Sequence, residues 1–183
     1  MPEHDPDAEL VLRVGRGEPQ AVRQLVARKL PRLLSLAQRM LSSRAEAEEV
    51  AQEVFVRAWK QAPEWRTGDA KFDTWLHRVT LNLCYDRLRA RKDDVPYDES
   101  HEREDESPGP EGSLRALQAT ASVAQALAAL PHRQREAIVL QYYQDLSNPQ
   151  AAALMNITVE ALESLLARAR RTLRARLAGT EGK

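Results

Sequence analysis

Residues 147–177, SNPQAAALMNITVEALESLLARARRTLRARL, constrain the fold of this chain more than any other stretch. Ser147 and Gln150 have the spacing of a capping box, in which a hydroxyl and an amide side chain satisfy orphan backbone amides at a helix start, and Pro149 is tolerated in the first turn. This predicts a short helix carrying Ala151, Ala152 and Leu154. It stops near Asn156, a residue type that enters the left-handed conformation at low cost. A second helix is predicted from Thr158. Ile157 ahead of the cap and Leu162 within the helix form a hydrophobic staple, and Leu162, Leu165, Leu166, Ala169 and Leu173 continue an apolar face. Two helices across so short a turn make a helix-turn-helix. The second holds Arg168, Arg170, Arg171, Arg174 and Arg176 with no acidic residue among them. Two readings follow: a surface that faces phosphates, or the solvated basic side of an ordinary helical hairpin.

A chain of 183 residues allows one domain or two small ones. Charged residues are 30% and aromatics 5% of the chain, and its Ala, Leu, Arg and Glu content is that of an all-helical protein, which favours two small helical domains over one large core. The formal net charge of zero conceals an uneven distribution. Cys84 is the sole cysteine, so neither an internal disulfide nor a cysteine-based zinc site is available, and a reducing compartment is expected. His4, His77, His101 and His132 lack metal-ligand spacing, and no metal or other cofactor is expected. No apolar run reaches the roughly 20 residues of a membrane span, and the N-terminus MPEHDPDAE is unlike a signal peptide; a soluble, cytoplasmic protein without membrane insertion is expected.

The first half reads as four helices. Asp5 or Asp7 caps a short one that ends at residues 15–17. A longer one follows from about Glu18 to Leu41, with Leu25, Leu30, Leu33, Leu34, Leu36 and Met40 apolar, and Pro31 is expected to bend it or divide it in two. Ser43 caps a third helix, whose stripe of Ala47, Val50, Ala51, Val54, Phe55 and Ala58 leaves Glu48, Glu49, Gln52, Glu53 and Arg57 outward. That acidic face is solubilising or a docking surface. The pattern breaks at Pro63 and Gly68, giving a polar loop that contains Trp65. A fourth helix starts near Lys71, with Phe72, Trp75, Leu76, Val79 and Leu83 at spacings of three and four. It closes on Arg87, Arg89, Arg91 and Lys92, more positive charge than a helix dipole needs.

Residues 93–113 hold nine acidic residues, Asp93, Asp94, Asp98, Glu99, Glu102, Glu104, Asp105, Glu106 and Glu111, against Arg103. With Pro96, Pro108 and Pro110 among them, this segment reads as a flexible linker extended by self-repulsion. The expected organisation is therefore an all-α chain: a four-helix domain over residues 1–92, the acidic linker 93–113, and a helix-turn-helix domain over 114–183.

The order of three runs is informative: AEAEEVAQEVFVRAW (Ala45 to Trp59), FDTWLHRVTLNLCYDRLRARK (Phe72 to Lys92) and LPHRQREAIVLQYYQDLS (Leu130 to Ser147), followed by the helix-turn-helix. Together they closely resemble bacterial sigma factors of the extracytoplasmic-function group. The resemblance implies core RNA polymerase and promoter DNA as partners, and control by an anti-sigma factor. It implies that the third helix docks on the polymerase clamp through Glu49, Gln52 and Glu53. It also implies that residues 65–71, with Trp65, Arg66 and Lys71, together with Asn82, capture a base flipped from the melted −10 element, while Arg87, Arg89, Arg91 and Lys92 serve phosphates. Trp75 is part of that pocket or part of the core. The second domain then places its last helix in the −35 major groove, with Ser164 and Arg168 at family contact positions and Arg170 and Arg171 beside them.

One departure is Glu163-Ser164-Leu165, where many members of the group carry basic residues on either side of the Ser. Glu163 repels phosphates, accepts from a cytosine amino group, points to solvent or pairs with Arg170; Leu165 is expected to pack inward. The acidic linker is a solvated tether or a nucleic-acid mimic in the polymerase cleft. A sigma-like decoy that titrates an anti-sigma factor is the alternative function. An enzyme has no support, since no phosphate loop, nucleophile motif or catalytic constellation is present.

Overall fold

The structure is a computed structural model that describes residues 5–66, 68, 70–93 and 114–178. Among these the regular structure is helical: α1 (Ala8–Gly15), α2 (Pro19–Leu41), α3 (Arg44–Gln61), a 3₁₀ turn (Ala62–Glu64), α4 (Phe72–Asp93), α5 (Leu114–Ala128), α6 (His132–Tyr142), α7 (Asn148–Met155) and α8 (Val159–Ala178). The chain divides into two compact units, one of residues 1–38 and 44–90, the other of 39–43 and 91–183. Beyond Asp93, the acidic linker lies outside the described residues, as do both ideas about its role.

In the first unit Val11 and Val14 of α1, Leu25, Leu33, Leu36 and Ala37 of α2, and the whole expected stripe of α3 are buried. The α1 helix packs on α3 and on the 3₁₀ turn. Gly15 allows that approach: a Cβ there would stand 2.8 Å from the Ala62 carbonyl oxygen, and backbone does not give way as a flexible side chain would.

One expectation is narrowed and another needs correction. Of the two outcomes expected at Pro31, division of the helix does not occur: α2 runs unbroken from Pro19 to Leu41. The proline is exposed, and buried Leu25 and Leu33 anchor the helix on either side, so tertiary packing outweighs the lost backbone hydrogen bond. The α4 core face is also rotated from the expected one. Phe72, Leu76, His77, Thr80, Leu81, Cys84 and Leu88 are buried, whereas Trp75, Val79 and Leu83 are only half-buried. Two polar residues enter the core because the helix itself satisfies them: Thr80 Oγ1 donates to the Leu76 carbonyl at 2.8 Å, and His77 Nδ1 lies 2.7 Å from the Asp73 carbonyl.

In the second unit α8 packs on α5, α6 and α7. The helix-turn-helix forms as expected. Ser147 and Gln150 make both halves of the capping box, and Asn156 ends α7 in the left-handed region at φ 54°. Thr158 Oγ1 accepts the Ala161 N–H at 3.2 Å to start α8. Arg135 is buried on α6 and satisfies the end of α5, donating to the carbonyls of Leu127 at 3.0 Å, Leu130 at 3.3 Å and Ala128.

Candidate nucleic-acid and polymerase interfaces

The outward face of α3 is the first candidate surface. Gln52 is exposed, Glu53 pairs with Arg57 at 2.8 Å one turn on, and Glu49 pairs with Arg87 of α4 at 2.7 Å. These are solvent-facing pairs worth roughly 0–1 kcal/mol, so they yield readily to a partner. Val56 and Trp59 continue the face at helical spacing from Gln52, exposed to 37% and 43%. Sequence reasoning passes over them, although an apolar pair interrupting a polar face is the signal that finds them.

The second surface joins the loop after α3 to α4. Trp65 stands edge-on to Phe72 at 4.9 Å and lies 6.1 Å from Trp75, and Phe72 and Trp75 stack at 5.5 Å. Trp65 is thus half-buried in an aromatic cluster rather than loose in a polar loop, and Trp75 belongs to the same cluster. The Trp65 indole Nε1 is buried without a hydrogen-bond acceptor. Such a donor costs about 1–3 kcal/mol until it finds a partner. Arg66 and Asn82 are exposed and Lys71 is half-buried.

The expected phosphate-facing set at the end of α4 divides. Arg87 holds Glu49, Arg89 pairs with Asp86, and Arg91 donates to the Leu41 carbonyl at 3.0 Å, capping the end of α2. Lys92 is exposed.

Beneath the start of α4 lies a buried charge cluster that sequence reasoning misses. Lys29 Nζ bridges Asp7 at 2.5 Å and Asp73 at 2.7 Å, with His77 Nδ1 3.4 Å from the Asp73 carboxylate. Burial pushes the Asp73 carboxyl up, but the Lys29 hydrogen bond and the charges of His77, Lys29 and Arg32 outweigh it, so the carboxyl lies below its ordinary value. Lysine at a helical spacing that joins an apolar stripe was the available signal.

The third surface is the exposed side of α8. Glu163, Ser164, Arg168 and Arg171 are exposed, and Ser164 Oγ donates back to the Glu160 carbonyl at 3.0 Å. Leu165 does not pack into the core: it lines a shallow hollow with Ile157, Ala161, Ser164 and Arg168. Arg133 of α6 completes that hollow, donating to the Met155 carbonyl at 2.9 Å and pairing with buried Glu136 at 2.9 Å; it joins the candidate residues from a helix outside the motif.

Arg170 departs from expectation. Its Nε donates to the Tyr142 hydroxyl at 2.9 Å and its Nη2 to Gln141 Oε1 at 3.1 Å, while Gln141 Nε2 donates to Asn148 Oδ1 at 2.6 Å. Arg168 and Arg171 are three residues apart and share a face; Arg170 falls off that face and is turned toward α6. It does not pair with Glu163, and instead ties α8 to α6 and, through Gln141, to the first turn of α7.

Known proteins are similar to this chain in sequence and fold. The sigma-70 region 2 family matches residues 25–93, and the sigma-70 region 4 family matches residues 120–173. The ECF RNA polymerase sigma-E factor of Escherichia coli is 31% identical, over 94% of this chain and 95% of its own length. The solved structure of CnrH in complex with the cytosolic domain of CnrY is similar at a TM-score of 0.71 and 30% identity, over 94% of this chain and 97% of CnrH. The sigma factor RpoE, solved in complex with the anti-sigma factor NepR from Bartonella quintana, aligns at a TM-score of 0.67 and 26% identity over 85% of this chain and 96% of that one. With both regions matched in order and full-length relatives on either side of 30% identity, the chain belongs to the extracytoplasmic-function group of RNA polymerase sigma factors.

Proposed function

We propose that the two units divide promoter recognition between them. The exposed face of α3, with Glu49, Gln52 and Glu53, and with Val56 and Trp59 as apolar additions, docks on core RNA polymerase. The Trp65 cluster, with Arg66, Lys71 and Asn82, receives a base from the melted −10 element, and the orphaned Trp65 N–H is a donor awaiting it. Lys92 meets phosphates as it stands, and Arg87, Arg89 and Arg91 join it by exchanging their present partners. In the second unit Ser164, Arg168 and Arg171 face the −35 groove, with Glu163 beside them for a base or a repelled phosphate and Arg133 at the margin. Arg170 acts behind this surface as a brace. The observation that carries this reading is that each family-matched region presents its own exposed polar surface, on α3 and the start of α4 in the match to residues 25–93 and on α8 in the match to residues 120–173.

From the family we assign this chain a non-catalytic role in the compartment that holds promoter DNA and core polymerase, the cytoplasm. CnrH and RpoE are each solved with a bound protein, for RpoE an anti-sigma factor. By likeness we assign this chain an anti-sigma partner too.

Run-off transcription with purified core polymerase tests the whole, on the genomic fragment upstream of the protein's own gene. A discrete transcript that requires the protein is the expected result. Binding to core without any transcript on that fragment or on a genomic fragment pool marks a decoy instead, and no binding to core contradicts both.

A further inference from the structure

Asp5 precedes the first helix, yet its carboxylate is bound to the start of α4, 67 residues further along the chain. One oxygen accepts the Phe72 N–H at 2.8 Å and the other the Asp7 N–H at 2.9 Å, with the side chain buried. A helix start usually finds its acceptor in the residue just ahead of it. Here that residue is Lys71, whose ammonium only donates. The cap is supplied from outside, and position 71 is left to carry a cation.

A second route runs to the same place. Asp7 is held by Arg28 at 2.9 Å and by Lys29, and Lys29 passes on to Asp73, the second residue of α4. The segment 5–7 therefore reaches α4 both directly and through Lys29. Phe72 is where the loop joins the helix, and its ring meets Trp65 edge-on and stacks on Trp75, the three forming one cluster.

We infer that Asp5 is a positioning residue for −10 recognition: by fixing the Phe72 amide it sets where Lys71 and the Trp65 indole stand at the start of α4. The inference rests on the reading of that loop as the base-capturing pocket. It extends the −10 machinery to Asp5, ahead of residues 25–93, which the family match covers.

The measurement is the affinity of reconstituted holoenzyme for a single-stranded oligonucleotide. Its sequence is the non-template strand of the −10 element at the promoter mapped by run-off, with a scrambled strand as control. Asp5→Ala removes both acceptors and should weaken binding about tenfold, with affinity for core held within about twofold. Asp5→Asn keeps one acceptor oxygen and should fall between Asp5→Ala and wild type. Arg28→Ala removes an exposed guanidinium from buried Asp7 but leaves both Asp5 hydrogen bonds and the Lys29 bridge in place, and should bind like wild type. The inference is overturned if either Asp5 variant binds the strand as tightly as wild type, or if strand and core affinities fall in parallel, as a general loss of folding would cause. Should Asp5→Ala not fold, Asp5→Asn decides by the same two criteria. A wild-type holoenzyme that fails to prefer the −10 strand over the scrambled one removes the pocket reading itself, and this inference with it.

Discussion

Lys29 sits between two carboxylates, with its side chain only 10% exposed, and the start of α4 rests on it. Replacing it by Met keeps the volume but leaves Asp7 and Asp73 facing each other without the shared cation, a loss of about 3 kcal/mol by the behaviour of broken buried pairs. The pH dependence follows from Asp73. Its carboxyl is held below the ordinary 3.8, so the stability that ionisation contributes is present in full above that value and is lost as pH falls through the lower folded one. Chemical denaturation of Lys29→Met and wild type should show a wide gap at neutral pH that closes as pH falls below 3.8. Equal stability at neutral pH would contradict the bridge. Residue-level chemistry of this kind was only partly legible beforehand. Asp5 and Asp7 read as caps from their type, but the partner of a cap lying 67 residues away is a product of tertiary packing. The hydrogen bonds of Arg170 to α6 were hidden for the same reason, since its charge alone placed it with Arg168 and Arg171.

At the scale of elements, periodicity carried most of the information. The stripe of α3, the capping box, the left-handed end of α7 and the start of α8 all rest on local patterns of side-chain type and spacing, and the structure has each of them. Where local rules met burial they lost. Pro31 sits inside α2, and α4 turns His77, Thr80 and Cys84 inward in preference to Val79 and Leu83 because its own carbonyls satisfy the polar ones. The α3 surface supports a prediction of its own. Gln52 and Glu53 face outward and bear none of the core, so the double replacement Gln52→Ala, Glu53→Ala should shift folding stability by no more than about 0.5 kcal/mol. If α3 docks on polymerase, the same variant should bind core about tenfold more weakly in a fluorescence titration. Undiminished affinity would remove α3 from the interface.

Across the whole molecule, the proposed function gives each of two units of modest size a surface for promoter DNA, and gives the first a surface for polymerase as well. The division into two helical units was legible from the acidic run 93–113 and from the ordered motifs on either side of it. The clusters within each unit were not, because they join residues far apart in sequence: Asp5 with Phe72, Lys29 with Asp73, Arg133 with the Met155 carbonyl. The division of labour makes a claim that one measurement addresses directly. Run-off yields are compared for wild type, Asn82→Ala and Arg168→Ala on three templates: the native promoter, one altered at the −10 element and one altered at the −35 element. If the first unit reads −10 and the second −35, Asn82→Ala should lose sensitivity to the −10 change while keeping it for −35, and Arg168→Ala should do the reverse, each forfeiting about 1–3 kcal/mol of discrimination at its own element alone. Both variants losing discrimination equally at both elements, or each retaining it in full at the element assigned to it, would contradict the account.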